Sequence, residues 1–181
     1  FVNQNITVNH NQFSFNFLTP NPITLWRAKT FSLKEPYTLA WIDNMEINSC
    51  FWDVGANIGL YSVYAAKTRQ SNVYAFEPSV FNLEILARNI YRNKVKKLVK
   101  IVPLALSSKD GFNDLLMSNT QWGGALSTFG QSFGSDGQKI EDNFQYITMG
   151  ISANTFLNMK YIEQPDYIKI DVDGIEHLVI E

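Results

Sequence analysis

Apolar and polar residues alternate at Phe13, Ser14, Phe15, Asn16 and Phe17. A period of two predicts a strand. The polar run 9–12 before it predicts the turn of a β-hairpin whose first arm begins near Ile6. The stretch Thr19-Pro-Asn-Pro ends the hairpin, and residues 36–44 read as a short helix with Leu39 and Ile42 on one side. From Cys50 the pattern changes. Continuous apolar runs at 50–54, 72–78, 99–107 and 167–174 read as four buried strands. Between them, residues 57–70 (Ile58, Tyr61, Ala65) and the stretch after Ser79 (Val80, Leu83, Ala87, Ile90) carry helical spacing, with Ser79 as the cap. Residues 175–181 begin a further helix. Strand–helix alternation with continuously apolar strands predicts an α/β fold built on a doubly wound, mostly parallel sheet, covered on both faces. Residues 107–154 form an insertion with predicted strands at 114–117 and 146–149 and a glycine-rich loop at 120–130.

The organisation expected from this pattern is an N-terminal hairpin and helical lead-in at 1–48, followed by a nucleoside-binding domain at 49–181. The 181 residues suit a chain able to bury a sizeable core, and 45% hydrophobic and 18% charged residues are ordinary for a globular protein. A net charge of −2 gives no positive field for a phosphate backbone, so nucleic acid is not the expected partner. Lys94, Lys96, Lys97 and Lys100 gather after a predicted helix, where cations suit its dipole. The single cysteine, Cys50, allows no intrachain disulfide. With no apolar run long enough for a membrane span and no secretory leader, a cytoplasmic setting is expected. The sequon at Asn5 is read as chance. Phe1 at one end and Glu181 at the other suggest a fragment.

Chemistry concentrates where the first buried strand turns into the first helix, in CFWDVGANIGLYS. In open α/β sheets, ligands bind beside such a turn, at the carboxyl ends of the strands. Gly55 permits a tight turn and close approach of a ligand to the backbone. Gly59 permits close packing of helix on strand. The spacing Asp53-x-Gly55-x-x-x-Gly59 departs from the dinucleotide fingerprint G-x-G-x-x-G. Asp53 would repel a pyrophosphate and suits an ammonium. Glu77, at the end of the second strand, is placed to accept hydrogen bonds from ribose hydroxyls. A nucleoside with an amino-acid tail, such as S-adenosylmethionine, satisfies both acids. Taken singly, the glycines are turn chemistry, Asp53 a helix cap and Glu77 a surface acid.

The segments FWDVGANIGLYS, VYAFEPSVFNLEILARNI and YIKIDVDGIEHLVIE together resemble the FkbM family of S-adenosylmethionine-dependent methyltransferases, over residues 51–181. The resemblance implies a class I methyltransferase-like fold and methylation of hydroxyl groups, often on sugars or other small molecules. By position it implies that Asp53, Gly55, Asn57 and Gly59 shape the methionine end of the cofactor site. It implies further that Glu77 holds the ribose, that Leu106 and Ser107 lie against the adenine, and that Asp171 closes the strand nearest the methyl. Asn154 stands where the family commonly has an acid. The C-terminal strands of the usual seven-stranded sheet lie past Glu181, which would leave an exposed edge.

A sulfonium methyl is already electrophilic, so placement of the acceptor and exclusion of water carry much of the catalysis. A hydroxyl acceptor benefits from a general base. Asp171, Asp173, Glu176 and His177 are the candidates, with Asp171 expected near the methyl and Asp173 or His177 as base. Glu176 and His177 also read as ordinary first-turn helix residues. One cysteine and two distant histidines leave no zinc ligand set. Arg27 and Glu35 are read as part of a lid or as a surface pair. Trp122, in the 120–130 loop, is read as a platform for a sugar ring or as part of a surface turn. The alternatives are an NAD-dependent oxidoreductase, a non-catalytic nucleoside-binding module, and a nucleic-acid methyltransferase.

Overall fold

The structure, a computed structural model, describes residues 4–131, 143–172 and Glu176. The expected hairpin is present: β1 (Asn5–His10) pairs antiparallel with β2 (Phe13–Leu18). Its arms are longer than the polar run suggested, because His10 still pairs with Phe13. Only Asn11 and Gln12 remain for the turn, and Asn11 takes the left-handed conformation (φ 51°) that a two-residue hairpin loop needs. Three short helices come next: α1 (Pro22–Lys29), α2 (Phe31–Lys34) and α3 (Pro36–Asp43). Asn21 caps α1 through a reciprocal pair with Thr24, and Pro22 occupies the first turn, where its missing N–H matters least.

The central sheet contains β3 (Cys50–Val54), β4 (Asn72–Phe76), β5 (Val99–Val102) and β10 (Tyr167–Ile170), all parallel, in the order β10-β3-β4-β5. The intervening helices are α4 (Leu60–Arg69) and α5 (Val80–Arg92). Side chains alternate between two cores. Phe51, Val73 and Ala75 face a core shared with α4, α5, the hairpin phenylalanines Phe15 and Phe17, and Phe31. Trp52, Val54, Tyr74 and Phe76 face the opposite core. That second core is closed by Phe156 of α6 (Ala153–Leu157). Both faces are therefore covered, as a parallel sheet of apolar strands requires. The chain winds from β3 through β4 to β5, then returns to lay β10 on the other side of β3. Strand order reverses between β3 and β10, and the carboxyl ends of those two strands form the crevice of the fold.

The predicted strand 99–107 is two strands. Pro103 has no N–H for a ladder, and after it β6 (Ala105–Leu106) leaves the central sheet to pair with β9 (Phe144–Ile151). With β7 (Gly111–Met117) and β8 (Ser127–Phe129), these form a second sheet in the order β6-β9-β7-β8. The predicted apolar face of α5 is also displaced. Val80 and Ala87 are exposed, while Asn82 and Asn89 are buried. The asparagines face inward because they satisfy backbone groups. Asn89 Oδ1 accepts from Leu18 N–H (2.8 Å), Asn93 Oδ1 accepts from Asn16 N–H (2.9 Å), and the two Nδ2 groups donate to Ile58 O (2.8 Å) and Asn16 O (2.8 Å). Two asparagines thus pair the open edge of β2. Among the described residues, no helix is long and apolar enough to cross a membrane.

Candidate active site

The turn after β3 is held by the end of β4. The N–H groups of Gly55 and Ala56 both donate to Phe76 O, at 3.0 and 2.9 Å. Gly55 has φ +80°, and a Cβ there would lie 1.9 Å from Asp171 O. The protein group closest to Gly55 is therefore the backbone just past the end of β10. Gly59 has φ +81°, and its bare α-carbon admits Leu86 of α5.

Glu77 is almost fully buried, and its carboxylate accepts from Asn57 N–H (2.7 Å) and Ser79 N–H (2.9 Å). It faces a cleft at the carboxyl end of the sheet. Its apolar wall includes Phe76, Leu106, Leu115 and Phe129. A second cavity, lined by Tyr61, Lys169, Glu35 and Phe31, shares Gly55, Asn57, Asp171, Arg27 and Lys34 with the first. The two form one groove across the switch point.

Of the residues singled out in the sequence, Gly55, Asn57, Glu77 and Asp171 come together on the wall of this groove. Asp53 and Gly59 do not line it. Asp53 has no exposed surface. Strand alternation turns it toward α4, where Oδ2 accepts from Ser62 Oγ at 2.6 Å. Its Oδ1 lies 3.7 Å from the Lys169 ammonium, which lies 3.3 Å from Asp171 Oδ2. Thus an ammonium of the protein itself, that of Lys169, stands beside Asp53. Burial works against the Lys169 charge, but Asp53, Asp171 and Glu35 outweigh it and hold its pKa above the ordinary lysine value. Burial, with Glu35 beside it, raises the Tyr61 phenol strongly and keeps it neutral.

Ser107 is half-buried beyond the cleft, with its N–H spent on Ile151 O at 2.9 Å; Leu104, Ala105 and Leu106 line the wall instead. Asp173 and His177 lie outside the described residues. Glu176 accepts from Val172 N–H at 3.1 Å, a bond that fastens the backbone just past the end of β10.

The 120–130 loop is pinned as a wall. Asn82 accepts from Gly123 N–H (2.9 Å) and donates to Gly124 O (3.2 Å), to which Asn57 Nδ2 also donates (2.8 Å). From α1, Arg27 Nε donates to Gly123 O at 2.7 Å, and from its cap Asn21 Nδ2 donates to Trp122 O at 2.9 Å. Trp122 packs with Leu18, Ile58 and Ile85, and its indole N–H donates to Glu84 (3.2 Å). It is an anchor for the loop and not a platform in the cleft. Sequence reasoning missed Lys169 and Asn82, although a lone lysine inside an apolar strand, two residues before Asp171, was the available signal.

A family model described as the Methyltransferase FkbM domain matches residues 53–181. The protein Methyltransferase sdnD of Sordaria araneosa is 38% identical over 84 residues, which are 45% of this chain and 32% of that protein. The chain thus spans about a third of the length of this curated relative. Among solved structures, TYW2 of M. jannaschii in complex with AdoMet is 19% identical, with a TM-score of 0.41, over 55% of this chain and 43% of that one. Precorrin-6y C5,15-methyltransferase of Geobacter metallireducens is 20% identical, with a TM-score of 0.34, over 38% and 36%. The matched segment opens on Asp53, carries the Gly55 turn and Glu77, and takes in well over half of the sequence, so the chain belongs to the FkbM family of methyltransferase domains.

Proposed function

We propose that the chain binds S-adenosylmethionine along the groove between β3 and β10 and transfers its methyl group to a hydroxyl of a small molecule, a saccharide being the first candidate. The single observation that carries this reading is Glu77. It is a carboxylate held rigid by two backbone N–H groups at the end of β4, beside an apolar slot and at the switch point of a parallel sheet. A carboxylate offers about four lone-pair sites, so a ribose diol is a suitable partner for it. Phe76, Leu106 and Phe129 suit a flat base. The other half of the groove presents both signs of charge, Asp171 and Glu35 with Arg27 and Lys34. That suits a zwitterionic amino-acid end, and the residues present fit the cofactor.

When bound, the cofactor supplies an electrophilic methyl on sulfur. Around it the residues of the groove would hold an acceptor hydroxyl in line with that methyl, exclude water and take up the hydroxyl proton. Asp171 lines both cavities and is the acid proposed nearest the methyl. Asp173 and His177 remain the proposed bases. Gly55 keeps the turn tight against β10, and the pinned 120s loop excludes water on one side. A net charge of −2 supports a small acceptor over a nucleic acid.

Calorimetric titration of S-adenosylhomocysteine, with NAD as control, tests the reading. Micromolar binding of the first and none of the second is expected, with strong weakening in Glu77→Gln. A folded chain that gives no heat with S-adenosylhomocysteine overturns it.

A further inference from the structure

The charges around the second cavity are unevenly committed. Among the described residues, three cations line it: Arg27, Lys34 and Lys169. Lys169 already sits between two carboxylates, Asp53 and Asp171. Lys34 makes a half-exposed pair with Glu35 at 3.5 Å and lies 5.7 Å over the Trp26 ring. Exposed pairs of this kind contribute little and exchange readily. Arg27 is different. Its Nε is anchored on Gly123 O at 2.7 Å, and among the described residues no carboxylate comes within ion-pair distance of its guanidinium. An arginine fixed by Nε offers its terminal nitrogens as a pre-oriented fork, the geometry that recognises a carboxylate. Arg27 and Lys34 also line both cavities, at the waist of the groove. Both residues come from α1 and α2, ahead of the matched stretch that begins at residue 53.

We propose that Arg27 and Lys34 bind the carboxylate of the amino-acid end of the cofactor, so that the N-terminal helices complete a site begun by the FkbM domain. This rests on the reading of the groove as an S-adenosylmethionine site. With Glu77 at the ribose, the amino-acid tail runs past Gly55 into the second cavity. There its ammonium faces Asp171 and Glu35, and its carboxylate meets Arg27, which has no acidic partner among the described residues, and Lys34, whose exposed pair with Glu35 exchanges readily. Lys169 lies between Asp53 and Asp171 and is not available for the carboxylate, and its one positive charge leaves the two acids with a net negative charge that suits an ammonium.

The test compares three ligands on the full chain by calorimetry: S-adenosylhomocysteine, its decarboxylated analogue, which keeps the ammonium, and 5′-methylthioadenosine, which lacks both charges. The proteins are the unaltered chain, Arg27→Met, Arg27→Lys and Lys34→Met. The unaltered chain is expected to prefer S-adenosylhomocysteine to the decarboxylated analogue by about tenfold or more, the scale of one charge-assisted bond. Arg27→Met should abolish that preference, while 5′-methylthioadenosine should still bind, because Asn21, Asn57 and Asn82 continue to hold the loop without the Arg27 bond to Gly123 O. Arg27→Lys should restore part of the preference, and Lys34→Met should reduce it by a smaller factor. An unchanged preference in both Met variants overturns the proposal, as does an unaltered chain that binds the two long ligands equally. Failure of the unaltered chain to bind any of the three overturns the cofactor reading itself, a distinguishable result.

Discussion

Lys169 and Asp53 are register partners on adjacent parallel strands, and the ammonium of one stands 3.7 Å from the buried Oδ1 of the other. Among the described residues that oxygen has no hydrogen-bond partner, so the lysine charge is what compensates it. Removing one member of a buried pair leaves an uncompensated charge and is far more damaging than removing both. Lys169→Met should therefore destabilise the chain by about 3 kcal/mol or more in urea unfolding, and Asp53→Asn with Lys169→Met should recover most of the loss. A loss under ~1 kcal/mol in the single variant would mean that water, not Lys169, balances Asp53.

The same pair fixes a pH dependence. The folded-state pKa of Lys169 lies above that of the unfolded chain, so its contribution is fully present below about pH 10.4. It is lost as pH rises through the folded value. Urea midpoints measured from about pH 8 to 11 should fall more steeply above ~10.4 in the unaltered chain than in Lys169→Met. Parallel curves would show that Lys169 carries no such linkage.

The side chain of Asn89 acts as a piece of backbone, accepting from Leu18 N–H and donating to Ile58 O in a fully buried position. Asn89→Leu strands a buried donor and a buried acceptor and should lower stability by about 2 kcal/mol or more. Asn93→Leu should be milder, because its bonds to Asn16 are only partly buried. Equal losses at the two positions would place the effect in packing instead.

Much of the frame was legible in the sequence because periodicity reports burial. The hairpin, the helix carrying Leu39 and Ile42, and the strands at β3, β4 and β10 are recovered from it. The face of α5 was not legible. Asn82, Asn89 and Asn93 look polar in a string of letters, and only tertiary structure reveals the N–H and C=O groups that make an inward asparagine favourable. Two strands of the second sheet, predicted at 114–117 and 146–149, lie within β7 and β9, but their pairing with each other and with β6 and β8 is non-local and was not legible. Of the residues that line the groove, Gly55 and Glu77 stood out by motif spacing, and Asn57 and Asp171 by the resemblance to the FkbM family. Asp53 was readable as important, but the sequence could not show that Lys169 would meet it.

Cys50 illustrates a buried group whose chemistry is suppressed. Burial chiefly, then the charges of Glu163 and Asp166, push its thiol up to about 11. The folded chain should resist iodoacetamide at about pH 8, whereas the urea-unfolded chain should be alkylated promptly. Since the folded thiol keeps a proton that the unfolded one releases, stability should also decline between pH 9 and about 11, and Cys50→Ala should flatten that part of the curve. Rapid labelling of the folded chain at about pH 8 contradicts this assignment.

Gly55 and Gly59 share a left-handed backbone, yet they should respond differently to an added methyl group. At each, the unfavourable φ costs about 1 kcal/mol. At Gly59 the new Cβ would meet Leu86 Cδ1 at 2.3 Å, the end of a side chain that can rotate. At Gly55 it would meet the Asp171 carbonyl at 1.9 Å, backbone that cannot move without dragging the end of β10 away from β3. Gly55→Ala should therefore lose more stability than Gly59→Ala and should abolish binding of S-adenosylhomocysteine. Gly59→Ala should keep measurable binding, and Leu86→Ala added to it should relieve the clash while opening its own cavity. The comparison separates strain from space: if the two glycine variants unfold at the same urea concentration, φ alone sets the penalty and the close approach of β10 contributes nothing.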